Sequence, residues 1–288
     1  MSKIHKDTLP VMLAIIILSL TQFIGCGEDA KIIETETPEI PVLPPDESIT
    51  VNLLAFNDGK TMLPDIPSSG AGAPRGNTAG KNFANAAARV LIINDAIASA
   101  IAFPAGLFKM AKETKPVMQN DGSWLWSYTA KYDVFVANVK LNGMEKGDKI
   151  YWSMKVSVDN PIMPITDFEW YTGVSTKTNT SGSWQLYDLF APNEHNPTAK
   201  IDWSTQPAAK NTTLAIENVN PSSEYLGTIL LYTVEGDTLS MSFRNTPENE
   251  TWEIVWNAIT GAGSIVVPKY NYGKKACWDM QKQDVECD

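Results

Sequence analysis

From Lys149 to Val158 the chain alternates with period two. Ile150, Trp152, Met154, Val156 and Val158 fall on one side, and Tyr151, Ser153, Lys155 and Ser157 on the other. Such alternation belongs to a strand with one buried and one wet face, the habit of antiparallel sheets. Segments of the same character recur from Gly122 to Pro268, separated by Gly, Pro and Asn. They are read as strands near 124–128, 132–141, 149–158, 167–172, 183–188, 199–203, 212–218, 228–234, 238–244, 251–257 and 264–267. Asn142-Gly143 and Gly236-Asp237 carry the hairpin chemistry, and Pro161 and Pro164 interrupt the run. About ten short strands with short connections predict a mainly β fold. Its expected form is a curved antiparallel meander, half-barrel or barrel-like. Gly122-Ser123-Trp124 opens the sheet, and Gly182-Ser183-Trp184 is read as the same hairpin solution used again.

A different period governs Asn82 to Lys112. This stretch is rich in Ala, the best helix former, and its polar interior positions are few, Arg89, Asn94, Asp95 and Ser99 among them. Pro104 and Gly106 are expected to kink or split it into pieces near 82–103 and 105–112. From Ala96 to Phe108 it is apolar nearly all round, which predicts burial. It is too short to span a bilayer. The expected arrangement is one kinked apolar helix on the concave face of the sheet. A sharper version has its small Ala side chains leaving room there for an acyl chain.

All nine tryptophans lie after residue 120, and all but Trp278 lie between Gly122 and Pro268. An indole in a strand fills a core while keeping one N–H that needs a partner. The rival reading is a platform of exposed rings that stack on sugar faces. Its candidates are Trp124, Trp126, Trp170 and Trp184, each near a strand end beside Gly or Tyr.

The N-terminus carries Lys3, His5 and Lys6, then an apolar run from Val11 to Leu20, then Phe23-Ile24-Gly25-Cys26. A cationic start, a short apolar run and a small residue before the cut describe a secretory signal peptide over 1–25. Ile24, Gly25 and Cys26 resemble the lipobox of bacterial lipoproteins, with Phe23 where that family usually has Leu. The resemblance implies that Cys26 becomes the first mature residue and carries acyl chains, which anchor the protein to a membrane. No Asp follows the Cys directly, and Glu28-Asp29 sit just beyond it. The expected location is the bacterial outer membrane, facing the periplasm or the surface. Residues 26–50 then form a tether rich in Pro and acids, extended by its prolines and its self-repulsion. Residues 51–81 are irregular, with a short strand expected at Val51–Phe56, and 82–288 hold the helix and meander. The body also resembles uncharacterised Trp-rich envelope lipoproteins ending in Cys-Trp-Asp…Cys. In layout it is similar to half-barrel carriers of the lipoprotein-localisation-factor type.

Charge and chemistry narrow the function. Against 23 Lys and Arg stand 33 Asp and Glu, a net charge of −10 over 288 residues. Removing Lys3, Lys6 and Asp7 with the leader takes away one net positive charge, giving −11. A surface of that sign argues against a nucleic-acid partner. Of three cysteines, Cys26 is spoken for, and Cys277 with Cys287 are expected to close a C-terminal disulfide clasp. The tail acids Asp279, Asp284, Glu286 and Asp288 lack the spacing of a Ca²⁺ loop. His195, in an Asn-Glu-His-Asn-Pro loop, is the one histidine beyond the leader, so no metal centre or cofactor is expected. No nucleophile elbow is present. Asp167 with Glu169, Asp188 and Asp202 are the carboxylates open to a hydrolase reading, and nothing singles out a pair. The expectation is a non-enzymatic, lipid-anchored envelope protein that binds a lipid-like apolar ligand between helix and sheet. Two alternatives stand beside it: a carbohydrate binder using exposed Trp, and a structural or adhesive protein.

Overall fold

The computed structural model of the protein describes residues 39–56, 79–132, 135–159 and 164–287. The leader, Cys26, the first part of the tether and residues 57–78 lie outside them. The described chain is mainly β: fourteen antiparallel strands in one open sheet, with two helices. In order the strands are β1 (Val117–Met118), β2 (Trp124–Tyr132), β3 (Phe135–Lys146), β4 (Lys149–Val158) and β5 (Ile165–Thr176). Then come β6 (Ser181–Tyr187), β7 (Pro197–Gln206), β8 (Asn211–Asn218), β9 (Ile229–Glu235) and β10 (Thr238–Asn245). The last four are β11 (Glu250–Asn257), β12 (Gly263–Val266), β13 (Ala276–Trp278) and β14 (Asp284–Val285). Every strand pairs with its neighbours in sequence, so the topology is a meander throughout.

Burial follows the alternation. In β4, Ile150, Trp152, Met154, Val156 and Val158 are buried while Tyr151 and Lys155 face out. β7, β8 and β11 repeat the pattern. The expected count of about ten strands falls short because β1, β13 and β14 are only two or three residues long. A segment that short contains no period to detect. Two of these short strands form the ends of the sheet, and a short edge offers little template for unwanted pairing.

The helical stretch begins at Lys81. Helix α1 (Lys81–Ile93) and helix α2 (Ser99–Ala111) join through a π-helical turn, Asn94–Ala98. The break therefore sits ten residues before the expected one, at Asn94 rather than Pro104. Asn218 explains its position: its Nδ2 donates to the Ala96 carbonyl at 3.0 Å, inside the widened turn. Pro104 lies within α2, held there by Ile101, Ala105, Leu107 and Phe108, all buried against the sheet side. Leu91, Ile92 and Met110, which lie outside the Ala96–Phe108 run, are exposed. α1 lies against β12, β13 and β14, the π turn against β8, and α2 against β2, β3 and β7. The helical stretch thus runs across the strands rather than along them.

Residues 39–56 lie beside it and run the other way. Asn179 Nδ2 donates to the Val42 carbonyl at 2.7 Å, and the Lys112 ammonium meets Asp46 at 2.5 Å. The Asn52 amide donates to the Tyr232 hydroxyl at 3.3 Å, and the Phe56 ring meets Trp256 edge-on at 5.2 Å. Burial pushes the Tyr232 phenol up to about 12. Part of the expected solvated tether is therefore packed into the body. The expected strand at 51–56 is absent: a 3-10 turn at Leu54–Phe56 stands within that stretch, and another at Asp46–Ser48 precedes it. Ile49, Leu53 and Phe56 are spaced to reach one surface, and burying three apolar side chains outweighs the solvating tendency of the acids between the prolines.

Eight of the nine tryptophans are buried, from Trp126 to Trp278, and Trp124 is half-buried. Each removes roughly 200 Å² from water, worth about 5 kcal/mol as an upper bound. The inner face makes room for them with glycine. Gly173 stands in register between Trp152 on β4 and Trp184 on β6, and Gly182 stands opposite Trp203. A Cβ on Gly173 would overlap the Trp184 ring, and one on Gly182 would sit 2.7 Å from the Trp203 ring. Gly143 under Trp152 and Gly263 under Trp278 repeat the arrangement. The two Gly-Ser-Trp triplets are accordingly not one solution used twice. Gly122 forms a turn at φ +80°, whereas Gly182 lies inside β6 beneath an indole.

Candidate functional site

Among the sequence candidates, Cys277 and Cys287 are disulfide-bonded, with Cα atoms 5.3 Å apart. Cys26 lies outside the described residues. Trp126, Trp170 and Trp184 are 2%, 6% and 1% exposed, so they cannot serve as a ring platform for a sugar. Trp124 alone of the four is half-buried. Strand parity turns Trp124, Trp126 and Trp184 to the inner face, and Trp170 is buried beside Tyr171 at the bulge between β4 and β5. Asp188 accepts from the Phe190 amide at 2.8 Å, and Asp202 pairs with Lys200 at 2.9 Å. Two of the tail acids are also engaged. Asp279 accepts from the Gln281 and Gln283 amides, and Asp284 from the Lys81 and Asn82 amides. Among the described residues no group of three His, Cys, Asp or Glu is placed to hold a metal.

The remaining pair, Asp167 and Glu169, comes together with His195. They line a groove of about 570 Å³ at the start of β5, under the loop between β6 and β7. Pro164, Phe168, Lys155 and Asn193 also line it. The local backbone makes the groove. β4 and β5 slip register twice near Lys155 and Val156, and such bulges redirect side chains. Asp167 and His195 both have positive φ, 47° and 49°, a conformation that Asp and His accept more readily than most residues. The Asp167 amide donates to Ser157 Oγ at 2.9 Å, fixing that bend.

The charges are matched. Lys140 meets Asp167 at 2.8 Å, and Lys155 stands directly across from Glu169, which accepts from Ser153 Oγ at 2.8 Å. The Lys140 ammonium holds the Asp167 carboxyl below its ordinary value. This is the wrong direction for a general acid at neutral pH, which needs a raised value. A depressed folded value means the ion pair's contribution is present above the unfolded value and fades as pH falls through the folded one. Replacing Lys140 with Met is expected to raise the Asp167 value toward that of a free carboxylate, read by carboxyl carbon NMR on titration. An unmoved Asp167 would show that Lys140 is not the cause.

His195 is exposed, yet its ring is fixed. It stacks on Tyr187 with centroids 3.9 Å apart and planes 16° apart, and Phe168 meets it edge-on at 5.7 Å. One face of the imidazole is covered and the other is open. The sequence offered one hint, a lone histidine in an Asn-Glu-His-Asn-Pro loop, but not the tyrosine that props the ring. A second concavity of about 550 Å³ lies at the other ends of the strands, lined by Thr180, Ser204, Thr205, Thr212 and Thr213 among others. Neither concavity lies between the helices and the sheet.

The chain matches no protein-family profile, no curated protein and no solved structure.

Proposed function

We propose that this is a non-enzymatic, lipid-anchored envelope protein that meets its ligands on its exterior. In this reading the chain is cut before Cys26, acylated there, and held at the outer membrane. The body is a curved half-barrel with the helical stretch on its concave side. Two lengths support the curvature. From β2 to β14 a flat sheet would measure about 58 Å at ~4.8 Å per strand. The helical stretch, some 46 Å long at ~1.5 Å per residue, touches both ends of it.

The observation that carries the exterior reading is the continuity of the core. Buried residues of both helices, of residues 49–56 and of the inner sheet face form one cluster, with Phe83, Ile97, Ile101 and Phe108 occupying the space where a cargo would lie. Carrying an apolar ligand there would require the helix to lift away. No cofactor enters this reading, and its partner is the membrane, through the acyl anchor.

Expression of the full chain in a lipoprotein-processing bacterium with an alkyne-tagged fatty acid tests the anchor. The tag is expected on the wild type and absent from Cys26→Ser, which should leave the membrane pellet. Tagging of the variant would defeat the anchor reading. Native mass spectrometry after gentle extraction is expected to show the acylated protein alone; a bound lipid of defined mass would favour the cargo alternative.

A further inference from the structure

We infer that the groove at His195 binds a neutral sugar ring, stacked on the open face of the imidazole. The inference rests on the exterior-ligand reading and gives it a site and a chemical class.

Four observations carry it. The first is the platform itself. A ring that is exposed but propped from behind by Tyr187 and from the side by Phe168 loses little freedom when a ligand covers it. Flat aromatic faces suit the C–H face of a pyranose, as they suit any ring with an electropositive edge. The second is the rim. Asn193 and Lys155 supply donors, and Asp167 and Glu169 supply acceptors, in a lining that is mostly polar, with Pro164 and Pro192 among its few apolar members. A sugar presents the matching pair of surfaces, hydroxyls at its edge and C–H groups on its face. The third is charge balance. Lys140 answers Asp167 and Lys155 stands opposite Glu169, so the groove has no surplus to offer an anion or a cation. A phosphate would meet two carboxylates with no arginine to hold it. The fourth is size: about 570 Å³ falls within the range of small-molecule sites and well short of a folded partner's footprint.

The platform differs from the one expected of the tryptophans. Those rings are committed to the core, whereas His195 stands outside it, presented by a loop.

The test uses the full-length protein in detergent, labelled with ¹³C in its histidine rings. The chain has two histidines, and only His195 survives cleavage. Cellotetraose, maltotetraose and chitotetraose are added in turn, with hexaproline as the competing class of flat ligand. At least one tetrasaccharide is expected to shift the His195 ring signals and saturate with a dissociation constant of roughly 1 mM or below. His195→Asn keeps a residue that accepts positive φ and removes the platform; it should weaken that sugar about tenfold. His195→Tyr keeps a ring and should stay within about threefold. The inference is overturned if none of the sugars moves the signals, if only hexaproline does, or if His195→Asn binds as the wild type does. None of these outcomes bears on acylation at Cys26, so failure here and failure of the anchor reading are separately visible.

Discussion

Gly173→Ala is expected to lower the stability of the protein by about 3 kcal/mol, at the upper end of what overpacking costs. The added methyl has nowhere to go. It would overlap the Trp184 ring and sit 2.8 Å from the Ser183 carbonyl oxygen, and backbone on a central strand cannot step aside. The neighbours on both sides are indoles, since Trp152 and Trp184 are both in register with this residue. For a domain of this size the loss corresponds to a melting point lower by roughly 6–12 °C, measured by calorimetry under oxidising conditions. Gly106→Ala is the matched control. A Cβ there meets nothing within 4 Å, and the residue lies inside α2, so helix propensity should make it neutral or stabilising by up to about 1 kcal/mol. Adding Trp184→Leu to Gly173→Ala should recover part of the loss, because the two changes share one contact. If Gly173→Ala melts within about 1 °C of the wild type, the indoles are not packed on glycine as described.

That arrangement was only half legible in the sequence. The period of two placed β4 at Lys149–Val158 as read, and Gly236-Asp237 does turn β9 into β10. But Asn142-Gly143, read as a hairpin turn, lies inside β3, where Gly143 makes room for Trp152, and the chain turns at Gly147-Asp148 instead. The period did not place the indoles: Trp126, Trp170 and Trp184, candidates for exposed rings, are buried. What parity cannot say is which strand lies opposite which residue, and the Gly–Trp contacts depend on register across neighbouring strands. Nor could composition find the packing of residues 39–56. Prolines and acids dominate its average, and the anchoring is done by Ile49, Leu53 and Phe56 alone. The helical break went astray because a proline is visible in a sequence. The Asn218 side chain that receives the π turn comes from 122 residues away.

The groove was less legible still. Asp167 and Glu169 were visible as carboxylates two apart, but not their distinct partners, Lys140 on β3 and Ser153 on β4. His195 was visible as a lone histidine in a polar loop. Its role depends on Tyr187, eight residues earlier, stacking behind it, and on Phe168 at its edge. Local pattern speaks to each residue's own element; the groove is made by a bulge and a loop converging.

Removing the clasp, with Cys277→Ser and Cys287→Ser together, is expected to lower stability by about 3 kcal/mol and to loosen the start of α1 out of proportion to the rest. The staple and the helix are one structure. Gly80, ahead of the helix, provides no side-chain cap, so the first amides are satisfied from across the sheet. Asp284 accepts from Asn82 at 2.8 Å and from Lys81 at 3.2 Å, and the Lys282 carbonyl accepts from Gly80 at 2.7 Å. Asn82 Nδ2 donates to the Cys277 carbonyl at 2.7 Å. Lys282 sits 4.5 Å over the Phe83 ring, whose edge partner is Trp278. A carboxylate at a helix N-terminus satisfies orphan donors and complements the helix dipole, but only while the strand that carries it stays in place. β14 is two residues long and lies at the end of the sheet, too little pairing to hold itself there. Without the disulfide, amide exchange at 81–84 should rise sharply while that of β7 and β8 follows only the global loss. Asp284→Asn separates the two contributions: it leaves the staple closed, removes the charge, and should cost about 1 kcal/mol with the same local signature. Should exchange at 81–84 move no more than that of the central strands, the disulfide steadies the chain end alone, and the helix owes its start to Phe83 and the residues buried behind it.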